Sequence, residues 1–340
     1  MTSLNIYSEN DILEFVTKRK GEKKFGEKVT FISEPTNLDI ELVDSESKYV
    51  LFGINESIGV KANNGTQGTE TAWNNTLTSL LNTQNSALNK GKKVLVLGCL
   101  EFPELMEASK QLNTNNPDQL KKLYDLVNEI DEEVTNLIFK IVSAGKIPIV
   151  IGGGHNNAYG NIKGTSLALN KPVNVINFDA HTDFRALEGR HSGNGFSYAF
   201  HEGFLNRYFI FGIHENYSSK KVLEELSAHN KHINYNTFEA MAIRRETTFE
   251  DEMKYALNFI KKDTFGIEID LDAIQNTASS AMTPSGFSVN KTRQFVSYIG
   301  SSKKAAYLHL CEAAPLLENN ASNQTGKLLS YLITDFIRAN

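Results

Sequence analysis

The stretch NFDAHTDFR, residues 177–185, sets Asp179, His181 and Asp183 at every second position just past an apolar run. Three more stretches carry residues of the same kind. IVIGGGHNN places His155 after three glycines, EIDLDAI supplies Asp270 and Asp272, and HLCEAAP supplies Glu312. Side chains two apart on an extended chain share a face. Asp179, His181 and Asp183 can therefore converge beyond one strand end, and Asp270 and Asp272 can meet them from another. Aspartates crowded in this way repel one another unless cations offset their charge. Carboxylate and imidazole donors suit Mn, Zn or Fe better than soft thiolate metals. Two such ions about 3.5–4 Å apart can hold a bridging water as hydroxide near neutral pH. Taken singly, each stretch has a plainer explanation, a solvated DxD turn or a loop histidine behind glycines. GGGH is not followed by GxxxxGK[ST], which speaks against a P-loop. What points to metal is the joint occurrence, with each block ending an apolar run.

The elements that must position these residues are readable from periodicity. YVLFGI (49–54), VLVLG (94–98), IPIVIGG (147–153), VNVINFD (173–179), RYFIFGI (207–213), FGIEIDLD (265–272) and AAYLHLCE (305–312) read as strands. They are nearly continuous in apolar residues, as strands buried on both faces should be. Helical spacing runs through 118–143, opened by Pro117 and closed by Gly145, and recurs at 249–262, 290–300 and 326–339. Strands alternating with helices predict an α/β fold with a mostly parallel sheet covered on both faces. Ligands in such sheets bind beyond the carboxyl ends of the strands, where all four blocks fall. No composition break divides the chain, so a single catalytic domain is expected over 46–340, with a polar arm over 1–45.

The 340 residues are 40% hydrophobic with a net charge of -5. That balance fits a globular protein with a large core and gives no basic stripe for nucleic acid. No apolar run reaches about 18 residues, and the amino-terminal stretch MTSLNIYSENDILEF lacks a basic-then-apolar signal pattern. Cys99 and Cys311 sit in apolar runs and read as buried, reduced thiols. No membrane association and a cytoplasmic location are expected.

From about Tyr49 onward the chain resembles the ureohydrolase family of arginases, agmatinases and formimidoylglutamases. GGGH, FDAHTDFR, SGNGF, IDLDAI and CEAAP occur in that family's order. The resemblance implies a three-layer α/β/α sandwich, two Mn²⁺ per subunit and a homo-oligomer. It implies that His155, Asp179, Asp183 and Asp270 hold the first ion, and His181, Asp179, Asp270 and Asp272 the second. Hydroxide between the ions would attack an amidine-type carbon, with Asp183 relaying its proton and Glu312 holding the cationic group.

Arg185 narrows the choice of substrate. Two residues past the DxHxD set, it should stand at the pocket mouth, where it suits a carboxylate. Formimidoylglutamate, with two carboxylates and a cationic amidine, matches. The segment IGVKANNGTQGTETAW resembles the amino-terminal pocket loop of formimidoylglutamases, which makes Lys61 and Asn64 further carboxylate contacts. SGNGF resembles that subfamily's loop and offers Ser192 and Asn194. Phe196 and Tyr217 stand where arginases carry a histidine and an aspartate, which argues against arginase. The expected reaction is N-formimidoyl-L-glutamate plus water to L-glutamate and formamide, a step of histidine degradation. The alternatives are a guanidino-acid hydrolase releasing urea and a metal-bound protein without catalysis.

Overall fold

A computed structural model of the chain describes residues 3–318 and 322–340. Nine strands form one sheet: β1 Leu4–Ile6, β2 Tyr49–Asn55, β3 Val94–Glu101, β4 Ile147–Ile151, β5 Val173–Phe178, β6 Leu205–Ile213, β7 Ile233–Thr237, β8 Phe265–Asp270 and β9 Ala305–Cys311. Their order is β1-β3-β2-β4-β9-β8-β5-β6-β7. Every pairing is parallel except that of β1 with β3. The chain steps from β4 to β5 and leaves a gap that the last two strands, β8 and β9, return to fill. The four strands that carry the acids and His155 thus become neighbours at the sheet's centre.

The seven apolar runs are strands, and the helices Pro117–Ser143, Phe249–Ile260, Val289–Gly300 and Gln324–Ala339 lie where the periodicity predicts them. Alternate residues of a strand serve opposite faces. Ile176 and Phe178 enter one core, with the helices Ala72–Leu80, Phe249–Ile260, Val289–Gly300 and Gln324–Ala339. Val173 and Val175 enter another, with Ala158–Leu169 and Gly195–His201. Val50 and Phe52 join the long helix Pro117–Ser143 on that second side. The result is the expected three-layer sandwich. Two edge strands escape the periodicity. β1 has only three residues, and β7 reads INYNT, with one buried side chain. Leu4–Ile6 pairs with β3, and Phe25 is fully buried in the core, so residues before 45 contribute to the sheet and its packing.

Phe178 ends β5 immediately before Asp179 and packs at ring-centroid distances of 4.7 Å to Phe287 and 4.8 Å to Phe295. Replacing it by alanine is expected to cost about 3–5 kcal/mol of stability in urea unfolding. A loss under about 1 kcal/mol would show that this cluster does not anchor the strand.

Candidate metal centre

The site is built from the turns beyond the carboxyl ends of β4, β9, β8 and β5. His155 Nδ1 lies 2.8 Å from Asp183 Oδ2, 3.1 Å from Asp270 Oδ2 and 3.3 Å from Asp179 Oδ2. Donor atoms of these four buried residues all fall within 4.8 Å of one another. A second group adjoins them: His181 Nδ1 is 3.5 Å from Asp179 Oδ1 and 3.9 Å from Asp272 Oδ2. Asp179 therefore presents one oxygen to each histidine. All six candidate ligands converge, with His181 the part-exposed member.

The convergence does not come from strand alternation, as the sequence suggested. β5 stops at Phe178 and β8 at Asp270, so most of the acids sit on tight turns beyond the strands. Each turn is closed by its own first carboxylate. Asp179 Oδ1 accepts from the His181 N–H at 2.7 Å, and Asp270 Oδ1 accepts from the Asp272 N–H at 2.7 Å. Asp272 Oδ1 in turn accepts from the Ala281 N–H at 3.1 Å. Asp183 and Glu312 adopt left-handed backbone at φ 44° and 59°, conformations that cost non-glycine residues about 1–3 kcal/mol and cluster at functional sites.

Beneath the ligands lie residues that the motifs did not single out. Glu56, just past β2, is fully buried. Its Oε1 accepts from the Gly154 N–H at 2.8 Å and from Asn157 Nδ2 at 2.7 Å, and its Oε2 accepts from the Ile58 N–H at 2.7 Å. It thereby fixes the glycine turn that delivers His155. Gly153 has φ 66°, and a Cβ there would stand 2.1 Å from Asn157 Nδ2, so a side chain is excluded. Asn177 Nδ2 donates to Asp179 Oδ2 at 2.8 Å. The signal for these residues was a polar side chain within, or just past, a run expected to be buried on both faces. Phe196 sets its ring edge-on to His155 at 5.1 Å.

The electrostatics fit a cation. Burial raises Asp270 well above the ordinary carboxylate range, with Asp272 and Asp179 adding to the shift. Burial likewise raises Asp183 and Asp272. Burial and then Asp272 push Glu312 up to about 8. Burial opposes a charge on His181, but the hydrogen bond and charge of Asp179 outweigh it and push the ring up to about 10. Burial also works against ionised Asp179, yet hydrogen bonds from His155 and His181 hold it low. Among the described residues, no lysine or arginine pairs with these acids; the histidines do. A buried oxygen- and nitrogen-donor cluster with surplus negative charge is the environment that suits hard to borderline divalent ions.

Above the ligands opens a pocket of about 480 Å³ lined in part by His181, Asp183, Arg185, Ser192, Tyr217 and Glu312. Glu312 Oε1 accepts from the His155 N–H at 2.7 Å, while its buried Oε2 has no hydrogen-bond partner of normal length. Arg185 stands at this pocket with its side chain 53% exposed and its Nη2 3.3 Å from Glu188 Oε1, the ion pair with a neighbouring acid that is the plainer role for this residue; between two exposed side chains such a pair is weak. Its Nη1 donates to Asn63 Oδ1 at 2.6 Å, and Asn63 Nδ2 donates to Ser192 Oγ at 3.2 Å. Tyr217 stacks on His181 at 5.1 Å.

Three expected substrate contacts lie elsewhere. The helix Ile58–Ala62 turns Lys61 away, and its Nζ donates to the Ser109 carbonyl at 2.7 Å. Asn64 lines the same separate hollow as Lys61. Its neighbour Asn63, the residue that caps the helix, reaches the pocket instead, and the chain turns away at Asn64, whose backbone is left-handed at φ 61°. Asn194 is fully buried, and its oxygen accepts from Arg190 Nη1 at 2.5 Å while its nitrogen donates to the Gly189 carbonyl at 2.7 Å. These bonds commit it to shaping the loop.

Residues 48–338 match the arginase family, and the chain belongs to that family. Its relatives include the formimidoylglutamase of Geobacillus thermodenitrificans, 30% identical over 205 residues that cover 55% of this chain and 58% of that one. That of Streptococcus pyogenes serotype M12 is 26% identical over 221 residues, covering 61% and 66%. The matched stretches thus span less than two thirds of these relatives. Among solved structures, formimidoylglutamase from Bacillus subtilis superposes with a TM-score of 0.74 at 18% identity, over 95% of this chain and 93% of that one. Trypanosoma cruzi formiminoglutamase with Mn²⁺ gives 0.71 at 17% identity, over 94% and 98%. The fold is that of these enzymes.

The raised acids carry a stability consequence. A carboxyl whose folded value is raised stabilises the fold at low pH and loses that contribution as pH rises through the folded value. For Glu312 the window runs from 4.5 to about 8, and Asp183, Asp270 and Asp272 act in the same sense. His181, raised to about 10, has the same sign at higher pH, and Asp179, held low, acts only in acid. A bound cation relieves the repulsion and displaces the protons. The rise in Tm on adding Mn²⁺ to metal-free protein is therefore expected to be larger at pH 8 than at pH 6 in scanning calorimetry. An equal or smaller rise at pH 8 would contradict this electrostatic description.

Proposed function

We propose that this chain is a cytoplasmic hydrolase of linear amidine C–N bonds that converts N-formimidoyl-L-glutamate and water to L-glutamate and formamide. His155, Asp179, Asp183 and Asp270 would hold one Mn²⁺, and His181, Asp179, Asp270 and Asp272 the other. When bound, the ion pair supplies the charge that makes water a hydroxide-like nucleophile near neutral pH. Small-molecule substrate is the partner this reading requires, together with further copies of the chain in a homo-oligomer.

The observation that carries the proposal is the polarity of one pocket. Its floor holds Glu312, with one buried carboxylate oxygen lacking a hydrogen bond of normal length, and its rim holds Arg185, which has Asn63 and Ser192 beside it and an exposed ion pair to Glu188 that a substrate carboxylate would replace. A substrate with an amidinium at one end and carboxylates at the other satisfies both. Glu312 Oε2 accepts a hydrogen bond from the amidinium and holds that group planar over the acids, while Arg185 pairs with a carboxylate. Water adds to the formimidoyl carbon, and its proton passes to the Asp183 carboxylate. The same proton moves to the glutamate nitrogen as the C–N bond breaks, so formamide and glutamate leave with atoms balanced. Relatives named formimidoylglutamase support the reading. A guanidino acid would also place a carboxylate on Arg185, and the product separates the two.

The purified chain with Mn²⁺ is offered formimidoylglutamate, arginine, agmatine and guanidinobutyrate. Formamide from the first and little urea from the others is expected. Substituting Arg185→Gln should raise KM for formimidoylglutamate about 10- to 100-fold, the cost of about 1.5–3 kcal/mol for a charged hydrogen bond, with kcat within a few-fold. Urea release from a guanidino substrate without formamide from the first would reject the assignment.

A further inference from the structure

Glu268 is a charged residue in the middle of the central strand β8 and is fully buried. The register sets it directly across from His309 on β9, and sets Gly266 across from Tyr307. Gly266 leaves room for the tyrosine ring, since a Cβ there would fall 2.1 Å from Tyr307 Cζ. The Tyr307 hydroxyl donates to Glu268 Oε1 at 2.8 Å, and His309 Nδ1 contacts Glu268 Oε2 at 2.5 Å. His309 Nε2 faces the Gly152 carbonyl at 3.2 Å. The carboxylate is thus fixed from two sides, and its fixing residue is tied to the glycine turn.

What the carboxylate faces is His155. The Nδ1 of that ring points into the aspartate cluster, and its buried Nε2 has no hydrogen-bond partner of normal length. Glu268 Oε2 lies 3.6 Å from Nε2. Phe196 packs edge-on against the ring at 5.1 Å and limits its rotation. A histidine that binds metal through one nitrogen needs its proton on the other, and a carboxylate there sets the tautomer and raises ligand basicity.

We propose that Glu268, held by Tyr307 and His309, is a positioning residue that keeps the proton of His155 on Nε2 and so leaves Nδ1 free to bind the first metal ion. This rests on the binuclear site proposed above but not on the identity of its substrate. In Glu268→Gln the amide can turn its NH₂ toward Nε2, which favours the opposite tautomer and puts a proton on Nδ1 inside the acid cluster. Glu268 acts through His155 and touches no substrate.

The test is titration of the metal-free full chain with Mn²⁺ alone, followed by calorimetry and by the electron paramagnetic resonance signal of coupled ion pairs. Wild type is expected to bind two ions and show the coupled signal. Glu268→Gln should bind one ion with wild-type affinity and the other 10- to 100-fold more weakly, the usual range for lost outer partners. Its coupled signal should return in excess Mn²⁺, and its KM for formimidoylglutamate at saturating metal should stay within about threefold of wild type. The double variant Glu268→Gln/His309→Asn replaces the hydrogen-bonded pair by amides and serves if the single variant does not fold; the same loss is expected. Two ions bound with wild-type affinity by either folded variant would overturn the proposal. A wild-type chain that binds no Mn²⁺ would overturn it as well, together with the binuclear site. Two-ion binding without formimidoylglutamate turnover would count only against the substrate assignment, and the affinities of the variants would decide the present claim.

Discussion

The mutual repulsion of buried carboxylates is the constraint on which the rest of this molecule depends. Asp179, Asp183, Asp270, Asp272 and Glu312 meet at the carboxyl ends of central strands, each no more than 9% exposed. Unpaired charges in such a place cost several kcal/mol each. As the chain stands, the cost is offset by retained protons, by two histidines and by turns in which a carboxylate accepts N–H donors two residues on. The arrangement is unfavourable as a core and favourable as a receptor for divalent cations. The fold tolerates it because three apolar clusters, spread over both faces of a nine-stranded sheet, supply the stability that the site gives up.

The topology explains why the acids come from such distant segments. β8 and β9 enter the sheet last and lie between β4 and β5. Only then do Asp270 and Glu312 reach His155 and Asp179. The interior side of the site is as specified as its mouth. Glu56 holds the glycine turn, Asn177 orients Asp179, and the Glu268–His309–Tyr307 group lies against the far edge of His155. Each is a polar residue that a parallel-sheet interior would otherwise exclude.

The fold and the convergence of the six candidate ligands were legible in the sequence because both rest on strong local signals. Continuous apolar runs mark buried strands, and the acids cluster where those runs stop. The edge strands were not legible, since Leu4–Ile6 is too short to show a period and INYNT alternates with asparagine. The turn geometry was also hidden. Side-chain capping places Asp272 and His181, and periodicity carries no information about it. The pocket rim was the least legible part. Lys61, Asn63 and Asn64 are close in sequence, and which one faces the pocket depends on where a five-residue helix ends and on the left-handed turn at Asn64 that follows it. Asn194 carries no mark in the sequence of its bond to Arg190, four residues before it. Glu268 and His309 left a trace, a charge within an apolar strand, that motif reading alone passes over.

Anomalous diffraction at the manganese edge, from crystals grown with Mn²⁺, tests the central claim most directly. The account predicts two peaks about 3.5 Å apart, one against His155 and one against His181, with Asp179 between them. A single peak, or none while the carboxylates remain as close as they are here, would contradict it.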